Sequence, residues 1–320
     1  MTTMSNIPED LVGEILSRVP MTSLGKVRCT CKAWNALSKI QIFGKKAAAR
    51  KQVLGFMVIG SRVCSFSLDL QGILSERDLV VPSIKKISKF DERKISYVSH
   101  IDGLLFCVDN EKLLVWNPYL GKTRWIQRPK IVSDQNDMFA FGYNNNRNHK
   151  IFRILHEYNK GDGEDLPDIY ELYDFNSNSW RRVPDVKQDF YVVTDRWLVS
   201  LKGNTYLVAE DRAVDKYFLL CFDFTMERFG PRLPLPYNSV EYSAAISCVR
   251  EEQLAILYQD EETMDIWTTT KILPNAVSWI KFFKVEMTTL NGFPDDFGSE
   301  IHTESFFIDE EKKVVYVLVR

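Results

Sequence analysis

The sequence predicts a small all-α segment at the N-terminus followed by a large all-β domain, and three observations carry that expectation. Apolar residues recur at helical spacing ahead of Val53. Beyond Val53, short runs rich in Val, Ile, Leu, Phe, Tyr and Trp alternate with Gly, Asn, Asp and Pro turns as far as Arg320. Within that second region one hairpin pattern returns several times.

The helices come first. Pro8 suits a first helical turn, where its missing N–H is not needed, and Glu9 and Asp10 stand at the positive end of the helix dipole. Leu11, Ile15 and Val19 follow at i, i+4 and i+8, with Leu16 beside them, which makes one apolar stripe. Pro20 ends this helix. Thr22 or Ser23 caps a second, in which Leu24, Val27, Cys31 and Trp34 step by three, four and three residues. Leu37, Ile40, Ile42 and Phe43 close the segment. A piece this small builds little core of its own, so part of its apolar surface is expected to wait for a partner. Periodicity alone leaves open a helix pair packed on the body of the same chain. The run from Gly44 to Lys51 is alanine-rich and basic and reads as a solvated connector helix.

The β region repeats. Leu113-Leu114-Val115-Trp116-Asn117-Pro118 turns at Leu120-Gly121 and returns as Thr123-Arg124-Trp125-Ile126. Tyr170 to Phe175 turns at Asn176–Ser179 and returns as Trp180-Arg181-Arg182-Val183, and Leu219 to Phe224 turns at Thr225-Met226-Glu227 and returns as Arg228-Phe229. Each copy is an aromatic, then Asn or Asp, a turn, and an aromatic. The return aromatics are spaced about 50 residues apart, the period of propeller blades. Partner strands lie between the copies: His100 to Val108, Phe139 to Tyr143, Ile151 to Tyr158, Trp197 to Val208 and Ala244 to Tyr258. Met264 to Thr270, Trp279 to Val285 and Phe306 to Val319 extend the series with a fading signature. The expected architecture is a β-propeller of about six blades, with Leu54 to Ile59 and Val63 to Leu68 completing the first. A two-sheet sandwich is the alternative, because edge closure is not legible in one sequence. Trp116, Trp125, Trp180, Trp197, Trp267 and Trp279 fall at strand positions and are expected in the core between blades.

Little in the sequence points to chemistry. A net charge of −2 gives no electrostatic case for nucleic acid or acidic lipid. No stretch approaches the ~20 apolar residues of a membrane span, and Met1 to Asp10 lacks the form of a secretory signal. The cysteines Cys29, Cys31, Cys64, Cys107, Cys221 and Cys248 are scattered, unlike a disulfide framework or zinc knuckle, so reduced thiols in the cytoplasm or nucleus are expected. Gly121-Lys122-Thr123 ends like a phosphate-binding loop, but Trp116 stands where that motif needs Gly. His100, His149, His156 and His302 are far apart, and no pair has metal spacing. No cofactor or metal is expected. Recognition is expected in turns: Asp134 to Met138, Asn144 to Asn148, Asn159 to Asp168, Asp185 to Asp189, Asp211 to Asp215 and Asp260 to Thr263. The Asn159 to Asp168 loop is the longest and most acidic, which makes Asp162, Glu164 and Asp165 the candidate target contacts; they read otherwise as a solvated loop.

Two resemblances add to this reading. The run Ile7-Pro8-Glu9-Asp10-Leu11, Ile15-Leu16, Val19-Pro20, Ser23-Leu24, Val27-Arg28-Cys29 and Cys31-Lys32-Ala33-Trp34 resembles an F-box, the helical module that plugs substrate receptors into Skp–cullin–F-box ubiquitin ligases. His100-Ile101-Asp102-Gly103-Leu104-Leu105, followed by Leu114-Val115-Trp116-Asn117-Pro118 and Arg124-Trp125, resembles the kelch-like F-box-associated domain of plant F-box proteins. The resemblance implies an F-box over residues 1–44, a basic connector over 45–52 and an F-box-associated β domain over 53–320. It further implies that Ile7, Pro8, Leu11, Ile15, Leu16, Val19, Leu24, Val27 and Trp34 dock a Skp-type adaptor, and through it a cullin. The β domain would then hold an unknown target protein for ubiquitination, with no active site of its own. Two alternatives stay open: an adaptor-bound scaffold outside ubiquitination, and a small-ligand-binding propeller regulated through its F-box.

Overall fold

The computed structural model describes residues 52–69, 83–87, 90, 93–118, 120–129, 137–156, 167–184, 186, 189–193, 198–214, 216–237, 244–249, 252–259, 262–286, 303–309 and 314–319. The predicted helices and the connector lie outside them. Two compact units divide the chain, within Met1–Arg128 and Pro129–Arg320.

The first unit holds two antiparallel sheets. One is β1 (Gln52–Ile59), β2 (Arg62–Asp69) and β3 (Ser83–Lys86), and the other is β4 (Ile95–Ile101), β5 (Leu104–Asp109), β6 (Lys112–Asn117) and β7 (Lys122–Gln127), each a simple meander. Val63 of β2 packs with Leu105, Cys107, Leu114 and Trp116 of the second sheet, and Ile87 and Phe90 of the connection fill the space between. Phe90 meets Trp116 edge-on at 5.1 Å between ring centres.

The second unit continues the pattern. A sheet of β8 (Asp137–Tyr143), β9 (His149–Leu155), β10 (Ile169–Asp174) and β11 (Ser179–Arg182) precedes one of β12 (Phe190–Val192), β13 (Leu198–Leu201), β14 (Asn204–Asp211), β15 (Tyr217–Asp223) and β16 (Arg228–Phe229). There β12 and β13 share one edge of β14, pairing with its last and first residues respectively. Next come β17 (Ala244–Val249), β18 (Gln253–Gln259), β19 (Thr263–Leu273) and β20 (Ala276–Glu286), and then the hairpin β21 (Thr303–Asp309) with β22 (Val314–Val319).

Alternation along single strands decides how the sheets stack, because successive strand residues face opposite sides. Leu207 and Ala209 of β14, with Phe218, Leu220 and Phe222 of β15, pack on Phe152, Ile154 and Leu172 of the preceding sheet. Their neighbours Tyr206, Val208, Leu219 and Cys221 pack instead with Leu254 and Ile272 of the following one. Ala255 and Leu257 of β18 then face Phe306 of the terminal hairpin. Sheets buried on both faces in chain order are propeller blades, which excludes a two-layer sandwich.

Among the described residues five sheets have three or more strands, so the blades number five where about six were expected. The excess arose at the C-terminal end. Met264–Thr270 and Trp279–Val285 read as further blade strands, but they belong to one long hairpin, β19–β20, within a single sheet.

The repeated Asn or Asp has a shared job. Asn117 accepts from the Leu120 N–H at 2.9 Å, Asp174 from Asn176 at 2.7 Å and Asp223 from Thr225 at 2.7 Å. Each side chain thereby stands in for a backbone carbonyl and starts the turn. Four residues on, Gly121, Asn178 and Glu227 all take positive φ, at 65°, 55° and 54°, and bring the chain back into register. Trp116 is buried as expected. Trp125 is not: it is 41% exposed, because β7 is the outermost strand of its sheet and only Ile126 faces inward. The Arg93 guanidinium covers the Trp125 ring at 5.2 Å.

Candidate functional site

Ile7, Pro8, Leu11, Ile15, Leu16, Val19, Leu24, Val27 and Trp34, expected to dock an adaptor, lie outside the described residues. So do Asp162, Glu164 and Asp165, but His156 before that stretch and Asp168 at its end are described. His156 leaves β9 and Asp168 enters β10, with His156 Nδ1 only 2.6 Å from Asp168 Oδ1. The Tyr170 hydroxyl donates to the second carboxylate oxygen at 3.2 Å. Burial and the neighbouring Asp168 charge push the Tyr170 phenol up, so it stays a donor. This buried clamp ties the end of β9 to the start of β10.

The Tyr170 ring packs edge-on against Phe229 at 5.3 Å, and Phe229 forms one wall of a cavity of about 330 Å³. The cavity lies on the β12–β16 sheet, beside the connection that leads into it from β11. Its floor is apolar: Phe190 and Leu220, both buried, with Phe229 between. Pro184 and Val186 of the β11–β12 connection form one side, and the outermost segment Arg228–Arg232 forms the other. Behind the floor the aromatic rings continue, with Phe152 stacked on Phe222 at 3.9 Å and Phe190 edge-on to Phe218 at 6.1 Å. Such pairs contribute roughly 0.5–1.5 kcal/mol each beyond their burial, so the floor is rigid.

The lip is charged. The Arg232 guanidinium lies 4.7 Å above the Phe218 ring, donates to the carboxylate of Asp211 and to the Asp189 carbonyl at 3.3 Å, and stands 3.1 Å from the Asp189 carboxylate. Asp211 also accepts from the Ala213 N–H at 2.8 Å, which together with Arg232 holds its carboxyl below the usual range. Arg212 donates to the Phe190 carbonyl at 3.3 Å and covers the Tyr191 ring at 3.9 Å. Arg228, next to Glu227, pairs with Asp223 across β15 and β16 and is exposed.

At the other end of the same strands the two sheets are fastened together. Lys150 reaches Glu227 at 2.6 Å and the Phe224 carbonyl at 3.3 Å, Arg181 pairs with the second Glu227 oxygen, and the Asn145 N–H donates to Thr225 at 3.0 Å. The seam is therefore closed at the turn 224–227.

Neither a metal centre nor a reactive thiol emerges. Among the described residues no group of three His, Cys, Asp or Glu side chains could hold a metal ion. Burial pushes the thiols of Cys107 and Cys221 up to about 12, so both act as small apolar side chains. Sequence reasoning named the Asp185–Asp189 and Asp211–Asp215 turns that flank the cleft, but missed Arg228 and Arg232. The available signal was a pair of arginines bracketing the return aromatic Phe229 in an otherwise apolar stretch.

Comparison with known proteins agrees with this architecture. Residues 4–46 match the F-box domain family, and residues 54–320 match the F-box associated beta propeller domain. The F-box protein At1g59680 of Arabidopsis thaliana is 53% identical, over 99% of this chain and 84% of its own length. The F-box/kelch-repeat protein At3g13680 of the same plant is 51% identical, over 99% of this chain and 81% of its own length. The chain belongs to the plant F-box proteins that carry an F-box-associated β-propeller.

Proposed function

We infer that the chain is the substrate-recognition subunit of a Skp–cullin–F-box ubiquitin ligase. The observation that carries this reading is the tandem order of the two matched families, an F-box at 4–46 directly followed by a propeller at 54–320. The first attaches the chain to the ligase and the second holds a target. The subunit performs no catalysis: it raises the local concentration of target lysines near the loaded conjugating enzyme, and ubiquitin transfer belongs to other subunits. In this reading the F-box spans 1–44, the connector 45–52 and the receptor domain 53–320. Ile7, Pro8, Leu11, Ile15, Leu16, Val19, Leu24, Val27 and Trp34 supply the adaptor face, and the adaptor brings the cullin. The reading places the receptor in the cytoplasm, the nucleus or both, supported by the scattered, unclustered cysteines.

The test is co-purification of the full-length chain with a Skp-type adaptor and a cullin. Wild type is expected to recover both, and Leu11→Asp neither, with unchanged thermal melting of the β domain. Recovery of the adaptor at full strength by Leu11→Asp would sink the assignment.

A further inference from the structure

Resting on the receptor reading above, we propose that the outer edge of β7 docks an extended acidic segment of the target protein. The segment adds to the β4–β7 sheet as a fifth strand, antiparallel like the other pairs of that sheet.

The backbone supplies the template. β7 stands last in its sheet, after β4, β5 and β6. The Arg128 N–H donates to the Glu111 carbonyl at 3.3 Å, across the same pair of strands. Bonding residues of an antiparallel pair alternate, so Ile126, Arg124 and Lys122 also turn their backbone groups toward β6. Thr123 and Trp125 turn theirs to the other side, where no described strand lies. Such an edge accepts a further strand through main-chain hydrogen bonds.

The side chains select the occupant. Lys122 and Arg124 project from one face of β7, and Thr123 and Trp125 from the other, all four exposed. Across β6, Lys122 and Arg124 face Asn117 and Val115, neither of them charged. The acidic neighbours Asp109 and Glu111 lie toward the Gln127 end, where Arg93 meets them at 3.5 and 4.0 Å. Arg93 also holds the Trp125 ring, which is 41% exposed, from one side. A fixed, exposed Trp beside Arg has the composition of a binding hot spot. An added strand therefore alternates, with carboxylates beside Lys122 and Arg124 and apolar side chains beside Trp125. Basic residues also serve to keep sheet edges apart, but that purpose gives no reason for an exposed Trp at the centre of the strand. Other outermost strands differ, since Arg181 of β11 is committed to Glu227 and Lys281 of β20 to Asp265.

The probe is a set of short immobilised peptides: alternating Val-Glu, alternating Val-Lys, and Val-Glu N-methylated at every Val or at every Glu. The full-length wild-type chain is expected to be retained on Val-Glu about tenfold more than on Val-Lys. Residues opposite Thr123 and Trp125 exchange backbone bonds with them, and these are the Val positions. N-methylation at Val is thus expected to abolish retention, and N-methylation at Glu to spare it. Trp125→Ala, with unchanged thermal melting, is expected to lose retention about tenfold, and Lys122→Glu to erase the preference for Val-Glu. Equal retention on Val-Glu and Val-Lys, equal effects of the two methylations, or an unchanged pattern in either variant overturns the proposal. Retention on none of the peptides also overturns it and leaves the basic residues as guards of the edge. Adaptor capture is measured on the same preparations. Lost capture with intact peptide preference overturns the receptor reading and leaves the docking edge standing, whereas intact capture without peptide preference does the reverse.

Discussion

Gly142 and Gly203 lie where the β8–β11 and β12–β16 sheets approach most closely. The Tyr143 N–H donates to the Gly203 carbonyl at 3.0 Å, a backbone bond between one sheet and the hairpin turn of the next. A methyl group on Gly142 would enter the Phe224 ring and sit 2.5 Å from the Gly203 carbonyl. A methyl group on Gly203 would come within 2.5 Å of the Tyr143 ring, at a φ of +86° that L side chains rarely adopt. Gly203→Ala therefore combines backbone strain with overpacking, and a loss of about 2–3 kcal/mol is expected on urea unfolding. Gly60→Ala is the control, because it shares a positive φ but has open space around it, and it should cost less. Equal losses for the two would show that φ alone matters. In the sequence both residues of the close approach read as ordinary turn or strand glycines, because the ring each one accommodates lies far away along the chain.

At the scale of the element, the third copy of the hairpin shows one residue holding two roles. Its turn needs positive φ at position 227, where the first copy has Gly121 and the second Asn178, yet the residue is Glu227. The carboxylate explains the choice, since it bridges Lys150 of β9 and Arg181 of β11 from the neighbouring sheet. Partial burial works to raise its pKa, but the hydrogen bonds from Lys150 and Arg181 prevail and hold it below the ordinary 4.5. A carboxyl depressed on folding stabilises the fold above its unfolded value, and that contribution fades as pH falls through the folded value. Glu227→Gln should thus melt below wild type at pH 7, with the difference shrinking as the pH drops below about 4.5. A difference that stayed constant with pH would mean that the side chain acts by packing alone. The hairpin itself was legible, because Asn or Asp before a turn and an aromatic after it are local signals. The bridge was not, because it joins residues 150, 181 and 227 across two sheets.

For the whole molecule, the same division explains which expectations the fold upheld and which it corrected. Period and turn chemistry are properties of neighbours in sequence, and they led to blades. The blade count depended on whether β19 and β20 pair with each other, and their local pattern did not reveal that. The target loop was placed by length and acidity, and its residues Asp162, Glu164 and Asp165 lie outside the described residues. The two matched families occupy separate stretches of the chain, one at 4–46 and the other at 54–320. Independent sites that share no partners have additive effects, typically within about 0.5 kcal/mol. Leu11→Asp should therefore leave the urea unfolding of the β domain unchanged, Gly203→Ala should leave adaptor affinity unchanged, and the double variant should show both losses in full. Calorimetric titration with a Skp-type adaptor and urea unfolding of each chain close the cycle. A coupling well above that range would mean that the N-terminal segment and the β domain stabilise one another, making the receptor a switched device in place of a fixed bridge.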